Sequence, residues 1–377
     1  MDFRFTEEQD ELREMARGFL AEVSNSDQVR ACMASELGHD PEVWKRVGAE
    51  LGWPAVTTPD AYGGLGMGDV ELVALMEVMG EALFASPFFA SVTLGANAIL
   101  MAGNEDQKQA LLPDIAEGVC TATLAVAEQG GGWAAEDIRA SFRREGDELV
   151  LAGTKRHVVD GHFADRIVVA LREEGSSGRE GLALVVLPGE VAGLEREALP
   201  TLDQTRRLAE IRLDDVRVPA FTRLGDAGAD VLDRVLQRSA IALSAEQIGG
   251  AQRCLEMAVA YAKERVQYGR TIGSFQAIKH KCADMMVKIE SARSAVYYAA
   301  CVAAEESDEL ALAASMAKAA ASDTYSFCAG TALQIFGGVG FTWEYDIHLY
   351  FKRARSSASL LGDAPYHREL VAQAIGL

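Results

Sequence analysis

The chain has 377 residues, of which 49% are hydrophobic and 24% are charged, a composition typical of a folded protein with a sizeable core. Its formal net charge of −20 at pH 7 argues against nucleic acid as a partner, because a phosphate backbone requires a basic surface. No apolar run has membrane-spanning length, and the N-terminal segment lacks the pattern of a signal or transit peptide. We therefore expect no membrane insertion and a cytoplasmic location.

Cysteine and histidine spacing does not indicate a metal site. The six cysteines are scattered without a C-x-x-C pair, and most lie in apolar helical context, where free cysteine behaves as a small hydrophobe. Among the six histidines, the closest pair is His157 and His162, and the others are isolated. We therefore predict that the protein has no metal centre.

Residues 1–118 are predicted to be helical. The segment Thr6–Gln9 resembles a capping box, and it precedes apolar residues at helical spacing. Pro41 is expected to open another helix. The glycine-rich loop 63–68 is interpreted as a connector, because no strand precedes it and no lysine follows its glycines, as a phosphate-binding loop would require.

From residue 119 the pattern changes to short apolar runs bounded by turn residues, which predicts strands. The predicted strands are Thr121–Ala127, Glu148–Gly153, Arg166–Leu171, Leu182–Leu187 and Leu208–Leu213. The polar segment 173–181 is expected to be a hairpin loop. A β-domain at 119–225 thus lies between helical blocks at 1–118 and 226–377, which predicts an α+β chain of three domains.

Two glycine-containing segments of the last block carry the strongest functional signal. They are R-V-Q-Y-G-R-T-I-G-S-F-Q at 265–276 and Q-I-F-G-G-V-G-F at 334–341. A helical pattern runs as far as Tyr268-Gly269, which places Arg265 in the last turn of the predicted helix. Arginine suits a diphosphate because its planar fork forms parallel hydrogen bonds to phosphate oxygens. The pair Gly337-Gly338 lets a ligand approach the backbone closely.

These segments resemble the flavin-binding signature of the acyl-CoA dehydrogenase family, and the resemblance covers essentially the whole chain. It implies an N-terminal helical domain, a middle β-barrel-like domain and a C-terminal four-helix bundle, with FAD bound across a subunit interface. By position, it implies that FAD is contacted by Arg265, Gln267, Tyr268, Ile272, Phe275, Gln276, Gln334, Gly337 and Gly338.

The resemblance implies α,β-dehydrogenation of an acyl-CoA thioester to the 2-enoyl-CoA, with electrons passing to an electron-transfer flavoprotein. A carboxylate base removes the α-proton, and burial typically raises its pKa toward the working pH. At the two sequence positions that carry this base in the family, the chain has Leu361 and Ser239. Neither side chain can serve as a base at neutral pH.

We predict that Glu246 takes this role. It follows Ser239 by two helical turns, which keeps it on nearly the same helical face, and its neighbours are apolar. A surface or ion-paired glutamate is the alternative interpretation. Asp363 is a weaker candidate for the base, because an aspartate in such a loop more often caps the following helix.

The β-domain departs from the family pattern, since Ala127-Glu128-Gln129 replaces Thr-Glu-Pro and His157-Val158-Val159 replaces Trp-Ile-Thr. The chain resembles a bacterial branch that includes steroid-degrading heterotetramers of two unlike subunits. We therefore expect a homo- or hetero-tetramer built from dimers, acting on a non-standard acyl group in lipid or steroid catabolism. Two alternatives stay open, namely a non-catalytic partner subunit and a flavin oxidase on the same fold.

Overall fold

The computed structural model describes residues 6–377, so the first five residues of the predicted N-terminal domain lie outside it. The α-helices of the described residues are α1 (Glu7–Val23), α2 (Ser26–Ala34), α3 (Pro41–Ala49), α4 (Asp69–Glu81), α5 (Asn97–Ala102), α6 (Glu105–Ala116), α7 (Ala229–Glu264), α8 (Gln276–Ala304), α9 (Leu310–Phe336), α10 (Ile347–Ser359) and α11 (Ala364–Ala374). Within residues 6–377, no helix is long and apolar enough to cross a membrane.

The strands are β1 (Ala122–Ala125), β2 (Ser141–Glu145), β3 (Glu148–Val159), β4 (Arg166–Glu173), β5 (Leu182–Pro188), β6 (Leu194–Ala198), β7 (Leu208–Pro219), β8 (Val266–Gln267) and β9 (Arg270–Thr271). The first seven form one mixed sheet in the order β1-β4-β2-β3-β7-β6, and β5 pairs with β4. Strand β4 is parallel to β1 and β2, whereas the other pairs of this sheet are antiparallel. The predicted α+β class is confirmed.

Several local predictions are confirmed by the helix caps and the sheet. Thr6 accepts a hydrogen bond from Gln9 N while the Gln9 side chain accepts one from Thr6 N, which completes the capping box. Pro41 opens α3, and 173–181 joins the antiparallel pair β4 and β5. Strands β2 and β6 escaped prediction because their charged, exposed side chains leave no alternating apolar pattern.

The described residues divide into two compact units. One comprises the described part of Met1–Ala31 together with Asp69–Phe84 and Ala240–Leu377, and it is mainly a helical bundle. The other comprises Cys32–Gly68 and Ala85–Ser239, and it contains the seven-stranded sheet over a core of buried aliphatic side chains. The three-domain boundaries inferred from the sequence stay a prediction.

In the helical unit, α4 and α7 cross with their backbones in close contact. A Cβ added to Gly80 would lie 2.1 Å from the Glu246 carbonyl oxygen, and one added to Gly249 would lie 1.8 Å from the Glu77 carbonyl oxygen. Only glycine at both positions permits this approach. The crossing therefore holds the middle of α7, including Glu246, inside the bundle.

The predicted end of α7 is wrong. The helix ends at Glu264, and Val266–Gln267 pairs with Arg270–Thr271 in a two-residue hairpin. Tyr268 and Gly269 have φ angles of 55° and 75°, as a type I′ turn requires. Val266 lies at helical spacing but is 54% exposed, and apolar periodicity alone cannot distinguish such a residue from a core residue.

Candidate functional site

The hairpin that follows α7 places the first motif at the surface. Arg265, Gln267 and Tyr268 are exposed, and Tyr268 is 93% accessible. The hairpin is closed by a hydrogen bond of 2.8 Å from Ile272 N to the Arg265 carbonyl oxygen. The Phe275 ring packs edge-on against Tyr268 at a centroid distance of 6.3 Å. The motif is therefore ordered by its own contacts while its polar side chains stay accessible.

The second motif lies next to the first. Tyr261, one helical turn before Arg265, stacks on Phe336 with ring centroids 4.3 Å apart and an interplanar angle of 14°. Tyr345 packs edge-on against both rings, at 5.8 Å from Tyr261 and 5.2 Å from Phe336. The ends of α7 and α9 are thus joined by an aromatic cluster, which brings the two predicted cofactor segments to one edge of the bundle.

This edge, which we call the cofactor edge, comprises residues 265–276 and 334–343. Seven of the nine predicted FAD-contacting residues are exposed there: Arg265, Gln267, Tyr268, Gln276, Gln334, Gly337 and Gly338. Ile272 and Phe275 are half-buried. A Cβ added to Gly337 or Gly338 would meet nothing within 4 Å, so the backbone is open to a ligand. A permanent cation, amide donors and open backbone fit the diphosphate of FAD.

The two family positions for the base hold buried residues that cannot ionise near neutral pH. Ser239 is 0% exposed, and its hydroxyl lies 2.6 Å from the Thr93 carbonyl oxygen and 2.8 Å from that of Val235, to which it donates. Leu361 is 3% exposed and has a φ of 60°. The chain therefore carries no base at either place.

Glu246 is buried and forms an ion pair. It is 5% exposed, and Arg353 Nη1 donates to its Oε1 at 3.0 Å, with Arg353 itself 2% exposed. Proton uptake by Glu246 would cancel the charge that faces this guanidinium, which opposes a role as base. The segment of α7 after Glu246 also spans about 27 Å, so the structure does not bring Glu246 to the Arg265 hairpin.

The turn between α10 and α11 is held by three side chains, of which sequence reasoning missed Lys318. Asp363 is the N-cap of α11 and accepts from Tyr366 N at 2.9 Å, which confirms its expected capping role. Lys318 is 0% exposed, and its Nζ reaches carbonyl oxygens of this turn. His367 Nε2 contacts the Leu361 carbonyl oxygen at 2.9 Å. The sequence feature that could have indicated a buried Lys318 is its position as the only lysine in the alanine-rich segment 311–322.

In the sheet unit, Glu128 belongs to the Ala127-Glu128-Gln129 segment that replaces the family's Thr-Glu-Pro, and it closes the glycine-containing loop that follows, residues 129–138. Its Oε1 accepts from Arg139 N and Ala140 N at 2.9 Å, and from Lys155 Nζ at 2.8 Å. Burial opposes ionisation of Glu128, but the ammonium of Lys155 and the backbone donors lower the pKa of Glu128 on balance. The loop is therefore tied at both ends by a charged carboxylate.

Within residues 6–377, no cluster of three or more His, Cys, Asp and Glu side chains is arranged to hold a metal.

Comparison with known proteins identifies the family. Residues 6–119 match the model of the acyl-CoA dehydrogenase N-terminal domain, and residues 226–376 match that of the C-terminal domain. Acyl-CoA dehydrogenase IpdE2 of Mycolicibacterium smegmatis is 34% identical over 358 residues, which cover 95% of each chain. The chain belongs to the acyl-CoA dehydrogenase family. Acyl-CoA dehydrogenases are FAD-dependent oxidoreductases that act on the CH–CH group of acyl-CoA, so the predicted family and cofactor are confirmed.

Similarity to solved structures confirms the predicted architecture. Butyryl-CoA dehydrogenase from Megasphaera elsdenii is 27% identical, with a TM-score of 0.91 and full coverage of both chains. A chain of the ChsE4-ChsE5 complex from Mycobacterium tuberculosis is also 27% identical, with a TM-score of 0.91 over 100% of this chain and 99% of that one. The N-terminal helices, the middle sheet and the C-terminal bundle are those of the acyl-CoA dehydrogenase fold.

Proposed function

We propose that this chain binds FAD at the cofactor edge and oxidises an acyl-CoA thioester to the 2-enoyl-CoA. The observation that carries the proposal is the stack of Tyr261 on Phe336, which joins the two cofactor segments. Arg265 and Gln334 would bind the diphosphate side through charge-assisted and amide hydrogen bonds. FAD supplies the acceptor for the β-hydride, and an electron-transfer flavoprotein is the proposed final acceptor.

We propose further that a second subunit covers the cofactor edge, giving a dimer or a tetramer built from dimers. Val266, Tyr268, Phe341 and Trp343 are 54%, 93%, 68% and 61% exposed. Large apolar side chains gathered on one surface are typical of a subunit interface. In this arrangement Arg265 serves the FAD of the neighbouring subunit.

For the α-proton, we propose Glu246 as the base. Its burial excludes water, and the guanidinium of Arg353 favours the ionised carboxylate that a base requires. The same guanidinium opposes the protonated product of the transfer. The proposal therefore requires that substrate binding compensates for the weaker Glu246–Arg353 interaction once Glu246 has taken up the α-proton.

The second candidate function is a non-catalytic subunit that contributes Arg265 and Gln334 to the flavin of a partner. Leu361 and Ser239 at the two base positions favour it, as does the pairing of Glu246 with Arg353. The similarity to a chain of the two-component ChsE4-ChsE5 complex supports a heteromeric assembly.

One experiment separates the two candidates. The chain is expressed alone and together with a second dehydrogenase-like chain encoded beside it, and visible spectra are taken before and after anaerobic addition of acyl-CoA esters. Flavin bound to this chain alone and bleached by an acyl-CoA supports the catalytic proposal. Bleaching only in the co-expressed complex favours the partner subunit, and absence of flavin from both preparations contradicts each candidate.

A further inference from the structure

Lys318 of α9 lies in a cage of oxygen atoms. It is 0% exposed, and its Nζ donates to Ser322 Oγ at 2.9 Å and to the carbonyl oxygens of Ser357 and Gly362 at 3.1 Å each. A backbone carbonyl only accepts, so the cage is matched to the N–H donors of the Lys318 amine, whose pKa burial lowers to about 7. Ser357 belongs to the last turn of α10, whose carbonyls lack partners within the helix. Lys318 therefore closes the C-terminus of α10 and binds the turn that follows.

His367 of α11 holds the same turn from the other side. Its Nε2 lies 2.9 Å from the Leu361 carbonyl oxygen, and since a carbonyl cannot donate, Nε2 carries the proton. The other ring nitrogen, Nδ1, is buried without a hydrogen-bond partner. Burial, followed by the charge of Lys318, lowers the pKa of His367 to about 4, so the ring is neutral at pH 7.

The turn itself has a backbone that its sequence does not favour. Leu361 and Gly362 have φ angles of 60° and 99°, and a leucine at positive φ is unfavourable unless its surroundings impose it. The successive carbonyls of Leu361 and Gly362 are bound by two different donors, His367 and Lys318. A Cβ added to Gly362 would lie 2.4 Å from Tyr366 Cδ1, so the turn has little room to relax.

We infer that Lys318 and His367 are positioning residues for the reaction, which fix the turn 360–362 at the place where this chain has Leu361 instead of a carboxylate. The inference rests on the proposed acyl-CoA oxidation. The turn then acts as a rigid apolar part of the site and not as a proton acceptor. Lys318 and His367 touch neither substrate nor flavin in this assignment, and they act through the backbone of the turn.

The test measures flavin reduction by an acyl-CoA ester in the flavin-loaded protein, using rapid mixing. Lys318→Met removes the amine that donates to the turn, and we expect the limiting rate to fall roughly 10- to 100-fold, as for a misplacement of about 1 Å. The half-saturating substrate concentration should change less than the limiting rate, because Lys318 itself does not touch the substrate in this assignment. His367→Leu should also slow reduction, whereas His367→Gln keeps an N–H donor for the Leu361 carbonyl and should preserve the rate.

Ile289→Ala is the control for a general loss of stability, because Ile289 is fully buried on α8 and belongs to neither the turn nor the cofactor edge. Its thermal midpoint should fall while its reduction rate holds. Equal rates in wild type and Lys318→Met overturn the inference alone, as does an equal loss in Ile289→Ala. If Lys318→Met does not fold, the two His367 variants provide the test: a slow reduction rate in His367→Leu and a wild-type rate in His367→Gln support the inference, and equal rates in the two variants overturn it. A wild-type protein that no acyl-CoA reduces overturns the proposed function, and this inference with it.

Discussion

The cofactor edge and the Glu246–Arg353 pair each contain an arginine near α7, but the arginine is exposed in the first and buried in an ion pair in the second. Arg265 is exposed on an ordered hairpin, beside open glycine backbone. Arg353 is 2% exposed and already bound to a carboxylate at 3.0 Å. An arginine at a ligand-binding surface keeps its donors accessible, whereas a buried one must be neutralised by its own protein. The contrast separates a surface suited to binding from a site whose charge is already compensated.

The largest expected effect concerns the proposed base. Glu246→Gln keeps the shape of the side chain but removes the proton acceptor, so flavin reduction by acyl-CoA should slow by about 10³-fold. Flavin content should be unchanged, since the cofactor edge is distant along α7. Rapid-mixing spectra provide the measurement, with Asp363→Asn as the matched carboxylate control. A Glu246→Gln protein that reduces as fast as wild type shows that Glu246 is structural.

The burial of the pair also predicts that replacing Arg353 destabilises the fold more than replacing Arg265. Arg353→Met leaves Glu246 buried without this cation and should lower the free energy of unfolding by about 3–5 kcal/mol. Adding Glu246→Leu should recover most of that loss, because a well-packed apolar pair often matches a buried ion pair. Denaturant unfolding measures both values. Arg265→Met is the exposed control, expected within about 0.5 kcal/mol, and a similarly small change for Arg353→Met contradicts the burial argument.

The stability of the folded chain should depend on pH through His367, another buried ionisable residue. Its pKa falls from the ordinary 6.5 to about 4 in the folded chain, chiefly through burial. Between these pH values the unfolded chain binds a proton on His367 that the folded chain does not. The contribution of His367 to the free energy of unfolding is therefore fully present above pH 6.5 and is lost as pH falls toward 4. The loss should be about 3 kcal/mol. Urea midpoints across this range should show a shallower fall in His367→Gln, and identical slopes would refute the assignment.

The smallest expected effect is at the cofactor edge. Arg265→Ala should weaken FAD binding by about 1.5–3 kcal/mol, the typical contribution of a hydrogen bond to a charged group. Arg265→Lys should restore binding only in part, because the ammonium cannot form the bidentate contact. Flavin fluorescence titration gives the affinities. Lys263→Ala removes a neighbouring exposed cation as control, and unchanged affinity in Arg265→Ala would exclude Arg265 from the site.

Local sequence was sufficient for the parts of the fold that depend on neighbouring residues. The capping box at Thr6, the opening of α3 at Pro41 and the cap at Asp363 each follow from side chains within a few positions. The cofactor segments were recognisable because arginine, glutamine and glycine stand together in short motifs. Strands were predictable where apolar residues cluster, and β2 and β6 were missed where they do not.

Only the tertiary structure decided which charges meet. Glu246 and Arg353 are 107 positions apart, and Lys318 is 44 positions from Gly362, so no periodicity relates them. Burial of a charge is tolerated only where a distant segment supplies its partner. Sequence alone therefore left open whether Glu246 is a free base or half of an ion pair. Helix caps and binding motifs depend on contacts within a few residues, whereas the state of a buried charge depends on contacts that exist only after the chain has folded.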